Sequence, residues 1–214
     1  MIWGGYPEVV LAKGSEEKKQ ILHDIFDFWF NRDIVLYTQK MYEFKELTKQ
    51  LSFGNGNILN YASLAGLANL SAPTVKSFIE ILKETFIVFS LRPFFNNKLK
   101  EINKSPKLYF LDTGFRNYFI NRFDFAKDEL GVLFENALLS DLIKKGYSYD
   151  NLKFWRTNDE KYEVDLILED EKRAFEFKYK NTTKISDRRG LDNFLKKYNE
   201  FNGEIINKDN FYKN

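Results

Sequence analysis

Two alternating stretches near the C-terminal end constrain this chain more than any other feature. Tyr162-Glu163-Val164-Asp165-Leu166-Ile167-Leu168 repeats with a period of two, which predicts a strand. Glu163, Asp165 and Ile167 share one face, and Tyr162, Val164, Leu166 and Leu168 the other. Ala174, Glu176 and Lys178 likewise share a face opposite Phe175, Phe177 and Tyr179. Glu169-Asp170-Glu171-Lys172 between them is short and polar, so the simplest product is a hairpin in which facing residue numbers sum to 341. Asp165 then faces Glu176, and Glu163 faces Lys178. Carboxylates directly opposite one another, about 5 Å apart at Cβ, repel. Either a hard divalent cation lies between them, or both splay into water while Glu163 and Lys178 form an ordinary cross-strand ion pair.

The remaining composition narrows the chemistry. The 214 residues contain no Cys and one His, which excludes disulfide frameworks, thiolate zinc sites and Cys nucleophiles. Catalysis, if present, falls to carboxylates and lysines. His23 has Lys19 and Asp27 one turn away and reads as a surface residue. With 43% apolar residues and a net charge of +2, the chain is expected to be globular, and no apolar run is long enough to cross a bilayer. A cytoplasmic location is the expectation. Charge is uneven: from Lys172 to Asn214, eleven Lys and Arg face six Asp and Glu, a net of +5, leaving −3 for the rest. The basic end is the expected surface for a polyanion.

The N-terminal part reads as helical. Gly4, Gly5 and Pro7 form a turn before any periodic segment, as though the chain had been cut from a longer one. Leu22, Ile25, Phe26 and Trp29 mark one amphipathic helix, and Phe44, Leu47 and Leu51 another that stops at Gly54-Asn55-Gly56. Tyr61, Leu64 and Ala65 begin a short helix, Asn69 to Ser71 break it, and Val75, Phe78, Ile79 and Leu82 mark the next, with Ser71 as cap and Pro73 in the first turn. A strand at 86–91 and a lysine cluster, Lys98, Lys100, Lys104 and Lys107, complete the order of a winged helix-turn-helix with the cluster as its wing. The outward face of the last helix holds Lys76 but no Arg, which makes it a poor reader of base edges. Pro106 to Leu111 reads as a strand and Asp112-Thr113-Gly114 as the turn ending it. Leu130, Leu133, Phe134, Ala137, Leu138 and Leu142 define a long helix with Glu135 at the border of its apolar stripe.

The order of a helix with Glu135, a strand with Asp165 and a strand with Glu176-Phe177-Lys178 resembles the PD-(D/E)xK nuclease superfamily. A closer resemblance covers almost the whole chain and is carried by Gly4 to Val10, Pro106 to Gly114, Trp155-Arg156-Thr157, Glu163-Val164-Asp165 and Glu176-Phe177-Lys178. It is to the C-terminal region of unknown function that follows the AAA-type ATPase module in many bacterial and archaeal proteins. These resemblances imply an α+β protein, with a helical, winged helix-turn-helix domain over 1–122 and a mixed α/β nuclease-like domain over 123–214. They further imply that Glu135, Asp165 and Glu176 hold Mg²⁺ or Mn²⁺, with Lys178 and Glu163 as candidate catalytic residues. Arg156, Lys76, Lys98, Lys100, Arg188, Arg189, Lys196 and Lys197 are the candidate nucleic-acid contacts. DNA and an ATPase module in cis are the expected partners, and no ATP site is expected because the chain has no Gly-x-x-x-x-Gly-Lys-Ser/Thr run. The alternative is a non-catalytic module that anchors an ATPase to a protein or DNA partner.

Overall fold

The structure is a computed structural model that describes residues 1–127 and 129–211. The chain forms two compact units, one of residues 1–89 with 108–126, the other of residues 90–107 with 127–214.

The first unit is helical: α1 (Pro7–Leu11), α2 (Ser15–Arg32), α3 (Met41–Phe53), α4 (Tyr61–Leu67) and α5 (Ala72–Glu84), joined later by α7 (Thr113–Phe119). The expected apolar stripes are its core. Leu22, Phe26, Trp29, Phe44, Leu47, Val75, Phe78, Phe115 and Phe119 are all buried in one cluster. Aromatic edges meet faces there, with Trp29 and Phe115 at 5.8 Å and Phe26 and Phe119 at 5.5 Å between ring centres. Asn69 takes the left-handed conformation that separates α4 from α5, and Ser71 caps α5 by accepting the Thr74 N–H, with Pro73 in its first turn.

Asp112-Thr113-Gly114 is a helix start, where a turn was expected. Asp112 is the N-cap of α7, accepting the Phe115 N–H at Oδ1, while its Oδ2 accepts the Gly5 N–H at 2.7 Å. The N-terminal Gly-Gly segment is thereby strapped to α7. A Cβ on Gly4 would meet the Asp112 carboxylate and one on Gly114 the Trp3 carbonyl, so both positions need glycine for close approach.

The strands are β1 (Val88–Pro93), β2 (Lys107–Phe110), β3 (Leu152–Arg156), β4 (Glu163–Leu168), β5 (Arg173–Lys178) and β6 (Asn202–Asn207), and they form a six-stranded mixed sheet in the order β2-β1-β3-β4-β5-β6. β1 with β3 and β5 with β6 are parallel, and β4 is antiparallel to both its neighbours. The segment expected to be a wing contains instead a short helix, α6 (Lys98–Asn103), because Asn97 accepts the N–H groups of Leu99 and Lys100 and starts a turn there. Two further helices, α8 (Leu130–Lys144) and α9 (Arg189–Lys197), belong to the second unit.

The β4/β5 register agrees with the expected sum: Leu166 pairs with Phe175, Ile167 with Ala174 and Leu168 with Arg173. The expected faces of β4 hold only in part. Between Lys153–Ile167 and Trp155–Val164 the register shifts, so that two steps along β3 match three along β4. This bulge falls at Asp165-Leu166 and breaks the alternation. Val164 and Ile167, three residues apart, both enter the core formed with Ala174, Leu191 and Phe194 of α9, while Leu166, Leu168, Phe175 and Phe177 line a groove with Leu138 and Leu142 of α8.

Candidate active site

The bulge in β4 re-aims Asp165. Its carboxylate turns towards β5 and accepts the Phe177 N–H at 2.6 Å, which anchors the backbone between Glu176 and Lys178. Those two residues, separated by one, project from the same face of β5. Lys178 Nζ lies 2.5 Å from Glu176 Oε1, so the expected Glu163–Lys178 pair is replaced by a Lys178–Glu176 pair. Glu163 instead meets Lys107 Nζ at 2.5 Å and Arg156 Nε at 3.4 Å. The splaying of Asp165 and Glu176 into water is overturned as well, since both residues are only 8% exposed.

Burial of this kind has electrostatic consequences. Desolvation raises the proton affinity of Asp165 against the pull of Lys178 and Lys107. Desolvation and the nearby Asp165 charge push Glu176 up to about 8, against Lys178. The two lysines behave in the opposite sense. Burial disfavours the Lys107 ammonium, but Glu135, Glu163 and Asp165 outweigh it and hold the group above its ordinary value. Asp165 and Glu176 do the same for Lys178. Both lysines therefore stay charged at neutral pH. Glu176 Oε2 is buried and has no hydrogen-bond partner. An orphaned carboxyl oxygen beside a second buried acid is one that a proton neutralises when nothing else does, and once that proton leaves, oxygen donors of this type fit a hard divalent cation.

Glu135 is partly desolvated, as its place on the stripe of α8 implies, with its Oε1 3.7 Å from Lys107 Nζ. Among the described residues no three His, Asp or Glu side chains form one metal-binding group. Of the three expected ligands, Asp165 and Glu176 are buried and interact electrostatically, while Glu135 faces Lys107.

A cleft of about 410 Å³ opens beside the pair, lined by Lys161, Glu163, Glu176, Lys178, Arg189 and Gly190 among others. Gly190 lets the start of α9 press onto β4, since a Cβ there would collide with the Glu163 carbonyl. Of the expected nucleic-acid contacts, Arg189 lines this cleft and is exposed. Arg156 is held by Glu160 and Glu163, Arg188 by Asp192 and the Gly203 carbonyl. Lys98 is engaged by Glu169 at 2.6 Å and by Glu101. Lys100 is exposed on α6, and Lys196 and Lys197 are exposed in the last turn of α9. Lys76 belongs to the first unit and lies over the Tyr61 ring.

Sequence reasoning missed Lys107 and Lys161. Lys107 falls by spacing in the cluster of expected wing lysines, yet it alone of the four runs directly into the apolar Leu108-Tyr109-Phe110-Leu111. That adjacency was the available sign that it is buried.

Two family models match the chain, both described as domains of unknown function: DUF8612 over residues 1–126 and DUF4143 over residues 130–211. The chain is 28% identical over 174 residues to "Uncharacterized protein MJ1544" of Methanocaldococcus jannaschii, which covers 78% of this chain and 37% of that protein. It is 25% identical over 198 residues to "Uncharacterized protein Rv2008c" of Mycobacterium tuberculosis, covering 90% of this chain and 44% of that protein. The chain thus spans less than half the length of these curated relatives. No solved structure matches it.

Proposed function

The chain belongs to the DUF8612 domain family, and on that premise, with the carboxylate site of its second unit, we propose that it engages nucleic acid and hydrolyses phosphodiester bonds with the help of Mg²⁺ or Mn²⁺. In this reading the second unit is a PD-(D/E)xK nuclease-like domain, the helical unit is a winged-helix variant, and the protein works with an AAA-type ATPase module. The observation that carries it is the buried Asp165–Glu176 pair with an orphaned oxygen, its Glu176 lining a cleft together with a charged Lys178.

Asp165 and Glu176 would hold the cation, which supplies charge neutralisation at the phosphate and activation of water when bound. The chain's own groups do the rest. Lys178 remains an ammonium because both carboxylates favour its charge, so it can donate to a non-bridging phosphate oxygen as charge develops there. Asp165, through the Phe177 N–H, fixes the backbone from which Glu176 and Lys178 project. Lys161 and Arg189, which also line the cleft, attract the polyanion.

Nicking of supercoiled or branched DNA with Mg²⁺ or Mn²⁺ tests the reading. The wild type should cleave, and Asp165→Asn and Lys178→Ala should each lose about 100-fold or more, the scale of a single transition-state contact. Activity that survives both substitutions would remove the site from the mechanism. Binding without cleavage of any substrate would favour the second reading, a non-catalytic module; Lys107, which draws two of the carboxylates to itself, is the observation on its side.

A further inference from the structure

Lys107 is among the most enclosed charges of the second unit. Its side chain is 6% exposed, its Nζ lies 2.5 Å from Glu163 Oε1 and 3.7 Å from Glu135 Oε1, and it stands over the Phe154 ring. Its charge also acts on Asp165. A buried ammonium is tolerated only when carboxylates match it, and here they come from both α8 and β4. The same lysine accounts for a missing feature. Glu135, Glu163, Asp165 and Glu176 share the electrostatic neighbourhood of Lys107 and Lys178, yet among the described residues no three of them converge as a metal-binding group. Glu135 and Glu163 are turned to Lys107, while Glu176 Oε2 is left buried without a partner.

We infer that Lys107 is a resident counter-cation that competes with a divalent ion for this cluster, withholding Glu135 and Glu163 and leaving Asp165 and Glu176 as the cation-binding pair. The inference rests on the proposed cation site. It makes Lys107 a positioning residue that sets affinity: a fixed positive charge beside the pair repels a dication and occupies ligands the ion would otherwise take. An ion pair that only supports the fold would act through lost repulsion alone, without coupling to Glu135.

The test is Mn²⁺ titration of the whole chain, followed by the electron paramagnetic resonance signal of free Mn²⁺, for the wild type and for Lys107→Met, Lys107→Gln and Lys107→Arg. Both neutral variants should bind Mn²⁺ at least about ten-fold more tightly than the wild type, and Lys107→Arg should match the wild type. Glu135→Gln should be nearly silent in the wild type and should cancel much of the gain in Lys107→Met, a coupling that a double-mutant cycle reads directly. Lys107→Gln keeps a polar donor in place and carries the comparison should Lys107→Met fail to fold. Wild-type binding that is lost in Asp165→Asn but unchanged in the neutral Lys107 variants would overturn the role of Lys107 alone. Absence of Mn²⁺ binding in the wild type and in every Lys107 variant would overturn the cation site with it.

Discussion

A single proton on Glu176 changes the charge of the site. Burial and the Asp165 charge raise its proton affinity to about 8, against Lys178, with Glu163 adding to the repulsion. An acid that binds its proton more tightly when folded stabilises the fold fully below its ordinary value of 4.5, and that contribution is lost as pH rises through about 8. With a chelator present, raising the pH from about 5 to about 9 should therefore lower the melting temperature of the wild type relative to Glu176→Gln. A difference between the two proteins that stays constant across that range would mean Glu176 is ionised throughout. At this scale the sequence was informative about Asp165 and Glu176, because the hairpin sum of 341 sets the β4/β5 register, while the bulge that turns Asp165 towards β5 departs from a period of two. For Lys107 the apolar run that follows it signals burial, but nothing in the sequence says that it faces carboxylates distant in the chain. Hairpin pairing alone offers Lys178 as one partner for Glu163, whereas the structure supplies Lys107 and Arg156.

Secondary-structure elements are held in this protein by a few close backbone approaches. Gly190 lets α9 touch the first residue of β4, and Gly190→Ala should push the helix off the strand at a cost of about 1–3 kcal/mol, the usual price of overpacking, read from urea denaturation. A midpoint equal to the wild type would mean that α9 shifts freely and does not fix the cleft wall. Asp112 is a second such point: it caps α7 and accepts the Gly5 N–H with the other oxygen. Asp112→Ala leaves two amides without acceptors and should destabilise by about 2 kcal/mol or more, with Asp112→Asn intermediate because it keeps only one carboxamide oxygen. Equal stability of the Asn variant and the wild type would mean that the Gly5 contact contributes nothing. Long helices were legible because their apolar stripes repeat, and Ser71 because capping is local. α6, β6 and the bulge in β4 were not: α6 has six residues and no stripe, and the bulge arises from pairing with β3, which is a tertiary fact. The residues that carry the family resemblance divide accordingly, since Gly4, Gly5, Asp112 and Gly114 serve the strap on α7 and Glu163, Asp165, Glu176 and Lys178 serve the site.

For the whole chain, the decisive property is that its second unit is discontinuous in sequence. A boundary at residue 122 places 90–107 with the helical part, whereas the compact unit contains that stretch together with 127–214. The excursion brings three things that 127–214 cannot supply. Arg92 and Pro93 of β1 pair with Lys153 and Phe154 of β3, Phe94 packs its ring against Phe194, Tyr198 and Phe201, and Glu101 sets its carboxylate 2.8 Å from Lys153 Nζ. Lys153 and Glu101 are each only about 5% exposed, so losing Glu101 would strand a buried ammonium. Removal of one partner from a buried pair costs about 3–5 kcal/mol, a large share of the roughly 5–15 kcal/mol that holds an ordinary domain together. Add the exposed edge of β3 and the gap left by Phe94, and a fragment of residues 123–214 has lost more than its margin. It should show no cooperative thermal transition, whereas the full chain should melt cooperatively. A fragment that melts sharply would show that β3 to β6 with α8 and α9 are self-sufficient, and that the excursion through β1, α6 and Lys107 serves the site rather than the fold.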